Sequence, residues 1–243
     1  MQMHGLTWNT DLAAAITKAR AFKRPILSLR LLGRLDEELT CANSRFFKKL
    51  LYPNPTINQL LRDHFILHWQ SVRPVPIVTI DFGDGRRIRK TLTGNSVHLV
   101  LDPDGRPADA LPGLFSPHVF SALLMRAHGY ALADRSKLPE LHRQALAQPV
   151  PPVTESRAMR ASMIAPTKHM VEMPMLRAVS PLSDIEGDTR TNLALHARIH
   201  QAFASGAQWS SVDAMVARIY EDLFEMPIDD PALGLDVPDP FAA

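Results

Sequence analysis

The run Ile26-Leu27-Ser28-Leu29-Arg30-Leu31-Leu32, bounded by Pro25 and Gly33, constrains the fold more than any other stretch of this sequence. It is apolar and nearly continuous, the pattern of a strand covered on both faces rather than on one. A chain that contains such a strand needs helices on either side of a sheet.

The flanking segments supply them. Asn9-Thr10-Asp11 offers N-cap oxygens for a first helix, in which Leu12, Ala15, Ile16 and Ala19 form one stripe, ended at Lys23-Arg24-Pro25. Phe46, Phe47, Leu50 and Leu51 predict a second helical face, stopped by Pro53 and Pro55. Thr56 is the expected cap of a short third helix carrying Ile57, Leu60 and Leu61, and Phe65-Ile66-Leu67-His68-Trp69 is the next strand. Two hairpins follow. One runs from Ile77 to Phe82, turns at Gly83-Asp84-Gly85 and returns over Arg86 to Leu92. The other runs from Val97 to Leu101, turns at Asp102-Pro103-Asp104-Gly105 and returns through Ala110 and Leu111. Ser116-Pro117 reads as cap and first residue of a helix burying Val119, Phe120, Leu123 and Leu124. The order predicts an α/β fold: a mixed sheet flanked by helices.

Beyond about residue 147 the pattern changes. Pro149, Pro151, Pro152, Pro166, Pro174 and Pro181 oppose long helices, so Ala147 to Asp184 reads as a linker or extended arm. Two further helices are expected, from about Asp188 to Ala204 and from Ser210 to Pro227, forming a helical hairpin, with an extended tail from Asp229. The expected division is therefore 1–130 for the α/β domain, 131–184 for a helix end and arm, and 185–243 for the helical segment. Two amphipathic helices alone bury too little to be stable. They are expected to pack back on the domain or to form a homodimer with a second copy.

The 243 residues, 46% hydrophobic and 21% charged, describe a chain that buries a real core. A formal charge of +2 argues against a nucleic-acid partner. The single cysteine excludes an internal disulfide and fits a reducing compartment. Neither a signal peptide nor an apolar run long enough for a bilayer is present, so the expected setting is cytoplasmic and off the membrane.

Residues from about Trp8 to His128 resemble the thioredoxin-like superfamily. The resemblance is carried by Trp8, Asp11-Leu12, Ala15, Ala19, Lys23-Arg24-Pro25-Ile26-Leu27, Cys41, Phe46, Ile57, Leu60-Leu61 and Phe65-Ile66. It continues through Leu99-Val100-Leu101, Gly105, Leu111-Pro112-Gly113 and the Ser116 helix. It implies a thioredoxin-like sheet with a redox site at the start of the helix that holds Cys41. Three departures stand out. Gly33 to Thr40 intervenes between strand and cysteine, the family's second cysteine is Ser44, and Val97 or a neighbour holds the place of its cis-proline. The implied substrate-docking residues are Ser96 and Val97.

A thiol at a helix N-terminus faces unpaired N–H groups and a partial positive charge, which favour thiolate. With Cys41 as nucleophile and Ser44 as hydrogen-bonding neighbour, attack on a disulfide stops at the mixed disulfide until another thiol resolves it. That is monothiol exchange with a protein or low-molecular-weight thiol or disulfide as partner, and no cofactor is implied. The competing reading makes Cys41 a small buried hydrophobe in a redox-inactive binding or scaffold protein.

Other candidates are weaker. Met159, Met163, Met170, Met173 and Met175, with His169, suit Cu(I), although such residues more often anchor an extended segment. His196 and His200 share a helix face, yet Ala197 stands where a zinc protease needs glutamate and no acidic partner is evident. No metal is expected there. Arg86-Arg87-Ile88-Arg89-Lys90 reads as the solvated face of a hairpin strand.

Overall fold

A computed structural model of the chain describes residues 1–91, 94–148 and 185–230. The chain divides into two compact units, Met1–Gln208 and Trp209–Ala243. The strands of the first are β1 (Gln2–Met3), β2 (Leu6–Asn9), β3 (Ile26–Leu32), β4 (Ile66–Arg73), β5 (Ile77–Asp81), β6 (Arg87–Thr91), β7 (Ser96–Leu101) and β8 (Pro107–Pro112). Its helices are α1 (Leu12–Phe22), α2 (Ala42–Phe46), α3 (Pro55–His64), α4 (Pro117–Leu132), α5 (Leu138–Ala147) and α6 (Ile185–Ala204). The described part of the second unit holds α7 (Val212–Arg218), continued by a π-helical turn over Ile219–Leu223.

Six strands form one mixed sheet in the order β1-β2-β4-β3-β7-β8, and β5-β6 is a separate two-stranded ribbon. β4 runs parallel to both β2 and β3, whereas β7 is antiparallel to β3 and β8 antiparallel to β7. Every residue of β3 and of β7 is buried. Side chains alternate between sheet faces, so burial at every position means both faces are covered. The α/β expectation is met, and for the reason the apolar run gives.

Local chemistry explains where the elements start. Asp11 caps α1 by accepting from the amides of Ala13 and Ala14. α3 begins earlier than expected: Asn54, not Thr56, is the cap, accepting from Ile57 N at 3.3 Å. Pro55 takes the first helical position, where a missing N–H costs nothing. Ser116 occupies the cap position of α4, but its hydroxyl makes no capping bond. α2 does not stop at Phe46; a π-helical turn carries the chain from Phe47 to Leu51.

α5 belongs to no separate sequence expectation. Asp134 accepts from Ser136 N to start a 3-10 turn over Arg135–Lys137, and Pro139 sits in the first turn of α5, which buries Leu138, His142 and Ala145. α5 packs on α6 and α6 packs on β8. The compact unit thus runs well past the boundary drawn near residue 130. The proline- and methionine-bearing arm over 149–184, including the Cu(I) candidates, and the tail from residue 231 lie outside the described residues. Among the described residues no helix is long and apolar enough to cross a membrane.

Candidate functional site

The chain leaves β3 through Gly33 at φ 76°, a left-handed position that favours glycine. It comes back to the end of the same strand at Cys41, whose amide donates to Leu32 O at 3.4 Å. Cys41 is the N-cap of α2, and its Sγ accepts from the backbone N–H of Ser44 at 3.4 Å. The helix end expected for the thiol is therefore present.

Access to it is not. Cys41 is 0% exposed. Gly94, just before β7, approaches so closely that an added Cβ would stand 2.2 Å from Cys41 Cβ. Ser44 contributes its amide and not its hydroxyl; Ser44 Oγ is buried with no hydrogen-bond partner among the described residues. The cap geometry aims the backbone at the sulfur and turns the side chain elsewhere, a correction to the expected hydroxyl donor. Ser96 and Val97 are both wholly buried, locked between β3 and β8. They form no open docking edge.

The surroundings of the thiol are polar. Asn43 Nδ2 donates to Asn95 Oδ1 at 2.9 Å, and the same oxygen accepts from Ser96 N at 2.9 Å. Arg45 Nη1 donates to Thr40 O at 2.8 Å and to Thr91 Oγ1 at 3.0 Å, tying α2 to the β5-β6 ribbon. Ser96 Oγ, like Ser44 Oγ, has no hydrogen-bond partner among the described residues.

On the outer side of α2 lies a cleft of about 510 Å³ lined by Glu38, Leu39, Arg45, Lys48, Lys49, Arg89, Lys90 and Thr91. Five cations face one carboxylate. Neighbouring ion pairs are Arg34–Asp36, Arg34–Glu37, Arg86–Asp84 and Arg87–Asp81, and none of them includes Lys49, Arg89 or Lys90. Partial burial pushes the Lys48 ammonium below its usual range, and the charge of an ionised Cys41 pulls it back up. Arg87, Ile88 and Arg89 are exposed, as expected of a solvated strand face, and Arg89 and Lys90 also line this cleft.

A second cluster sits elsewhere in the same unit. His196 and His200 lie one turn apart on α6, and β8 sets Asp109 against them, each at most 4% exposed. His196 Nε2 is 2.9 Å from Asp109 Oδ1, the acidic partner the sequence did not reveal. From α5, His142 Nδ1 meets His200 Nδ1 at 2.6 Å, while its Nε2 donates to Ala108 O at 2.9 Å. Arg126 of α4 donates to His200 Nε2 at 3.1 Å. Burial, outweighing the nearby Asp109 charge, depresses His200 to about 3 and pushes His142 down as well. Asp109 goes the other way from its burial: the facing histidines hold its carboxyl well below the usual range.

Comparison with protein-family models, with curated proteins and with solved structures finds no match to this chain. The site residues that sequence reasoning missed are Gly94, Asn95 and Asn43 around the thiol, and Asp109, His142 and Arg126 around α6. Gly94-Asn95 immediately before an apolar strand is a signal of close backbone approach. Nothing local marks Asp109, which meets His196 across 87 residues of chain.

Proposed function

We propose that this chain is a thioredoxin-like protein that acts by binding, taking an anionic ligand in the cation-lined cleft beside α2, with Cys41 held as an enclosed structural cap. The observation that carries this reading is the contrast at α2: the sulfur is wholly buried, while the cleft next to it gathers five cations against Glu38. Clustered like charges held by the fold repel one another, and a ligand of opposite charge relieves that repulsion. The thioredoxin-like assignment is supported by the β2-β4-β3-β7-β8 strand order, with the last two strands antiparallel, and by a cysteine capping the helix that follows β3. A single buried thiol also suits a reducing, cytoplasmic setting.

Three measurements test the proposal. Under native conditions Cys41 is expected to resist iodoacetamide until denaturant is added, and insulin reduction is expected to be the same for wild type and Cys41→Ser. Inorganic phosphate and an acidic peptide, titrated separately, are expected to bind at low salt and to weaken as salt rises. The pair Lys49→Glu and Arg89→Glu is expected to abolish that binding with the melting curve unchanged. Binding that ignores both substitutions sinks the cleft reading.

Two observations favour a second reading, monothiol exchange. The Ser44 amide donates to Cys41 Sγ, and the Lys48 charge is coupled to the same sulfur, both of which stabilise thiolate. Its signature is alkylation of the folded protein with a midpoint near or below pH 7.5, together with insulin reduction lost in Cys41→Ser.

A further inference from the structure

We propose that Asp109, His196 and His200 form a buried site for a divalent transition metal, with zinc as the ion that the donor set fits best. One ligand atom from each of the three residues lies within 4.8 Å of the other two, and all three residues are buried. The set spans two elements, with β8 fixing the carboxylate and one face of α6 presenting both rings at the (i, i+4) spacing. Four-coordinate zinc holds its ligand atoms roughly 3.4 Å apart, so side-chain rotations that move these atoms by about an ångström close the set.

The carboxylate supplies the independent observation. Asp109 Oδ1 accepts from Ala110 N at 2.8 Å and faces His196 Nε2, but Oδ2 is buried with no hydrogen-bond partner among the described residues. An interior carboxylate oxygen without donors is unfavourable, and a cation is the partner that satisfies it. Two imidazoles and one carboxylate are a borderline-soft set. They suit zinc rather than calcium or magnesium, which prefer all-oxygen shells, or Cu(I), which prefers sulfur.

Proton positions identify the nitrogen of His200 that ligates, while the proton that His196 Nε2 directs at Asp109 Oδ1 is released when the ion takes its place. Ala108 O only accepts, so His142 carries its proton on Nε2 and presents a bare Nδ1. His200 must then donate through Nδ1, which leaves the lone pair on Nε2 for the metal. His142 becomes the orienting neighbour, pinned to the backbone of the strand that carries Asp109, as ligating histidines commonly require. Arg126 Nη2 covers that lone pair at 3.1 Å. Its Nε is buried with no hydrogen-bond partner among the described residues, so the guanidinium is a poorly satisfied occupant for the ion to displace. Asp109, His196 and His200 are distinct from the residues named around the thiol and from those lining the cationic cleft, so their test is separate.

The test uses the full chain stripped with a chelator and titrated with Zn²⁺ against a chromophoric competitor, and with Co²⁺ by visible absorption. The expected result is one ion per chain at sub-micromolar affinity, Co²⁺ bands of a four-coordinate nitrogen–oxygen site, and a raised melting temperature. Asp109→Asn and His200→Gln are each expected to lose at least roughly tenfold in affinity. Arg126→Met is expected to gain about as much by removing the competing cation. His128→Gln, which breaks an imidazole pair outside the cluster, His64–His128 at 5.2 Å between ring centres, is expected to bind as wild type. Wild type without sub-micromolar binding overturns the proposal, as do folded Asp109→Asn and His200→Gln proteins that bind unchanged. Should those two variants fail to fold, the wild-type Co²⁺ spectrum and the Arg126→Met affinity decide it: bands with tighter binding support the site, and their absence removes it.

Discussion

An added Cβ at Gly94 would lie 2.2 Å from the Cβ of Cys41 and 3.0 Å from its Cα, inside any van der Waals contact. Both neighbours belong to the cysteine's own frame and cannot rotate away, so the backbone must move. Gly94→Ala is therefore expected to cost about 1–3 kcal/mol by overpacking. It is also expected to speed reaction of Cys41 with a thiol reagent, as α2 is pushed off the strand end. Urea denaturation and the reaction rate check both parts; an unchanged rate with lowered stability would mean that the thiol is enclosed by something other than this glycine. At this scale the sequence was legible for Cys41, because a helix start after a buried strand is a local pattern. It was not legible for the direction of Ser44, since the choice between amide and hydroxyl is set by cap dihedrals. Nor was enclosure visible: the covering residue, Gly94, lies 53 positions away from Cys41, in the segment before β7.

Among the elements, caps and strands were readable and helix docking was not. The apolar run at β3, the Asp-Pro-Asp-Gly turn and the Asp11 cap carry their signals within a few residues. Asn54 and Thr56 are both competent caps, and Pro55 between them decides, because it fits the first helical position and so makes its predecessor the cap. The seating of α6 depends instead on side-chain bonds to distant backbone. Asn192 Nδ2 donates to Leu114 O at 2.8 Å, and Thr189 Oγ1 accepts from Ser116 N at 3.0 Å, so α6 satisfies the turn that leads into α4. Asn192 lies over Gly113, where its Oδ1 would stand 2.4 Å from an added Cβ. Asn192→Ala leaves the buried Leu114 carbonyl without this donor, an expected loss of about 1–3 kcal/mol. Hydrogen exchange measured along the chain is expected to show α6 amides opening before those of β3 and β7. Uniform acceleration across all three would place α6 inside one global unfolding unit and refute the local seating.

For the molecule as a whole, acid sensitivity follows from its buried histidines, His200 and a second one in the centre of the packing. His98 of β7 is fully buried, with ring centres 4.6 Å from Phe47 and 5.0 Å from Phe120, and its Nε2 is 2.9 Å from the Tyr52 hydroxyl. It thus joins the turn after α2, the sheet and α4. Burial lowers its folded pKa from the ordinary 6.5 to about 3, since enclosure strips a charged ring of its hydration. The sign follows from proton counts. Above pH 6.5 neither state binds this proton, and the contribution to stability is complete. Between 6.5 and about 3 the unfolded chain binds it and the folded chain does not, so stability falls as pH falls, by roughly 1 kcal/mol per unit. Exposed carboxylates such as Asp81 and Glu140, held low chiefly by hydrogen bonds to Gly83 N and to Arg143 respectively, act only nearer the acid end and are weakened by solvent. His98→Gln is expected to lower stability at neutral pH through lost ring packing and to flatten the slope between pH 6 and 4 by about one proton's worth. Urea midpoints of both proteins across that range measure it. Parallel profiles would show that His98 takes up its proton in the folded state, which the enclosure of its ring by Phe47, Tyr52 and Phe120 opposes.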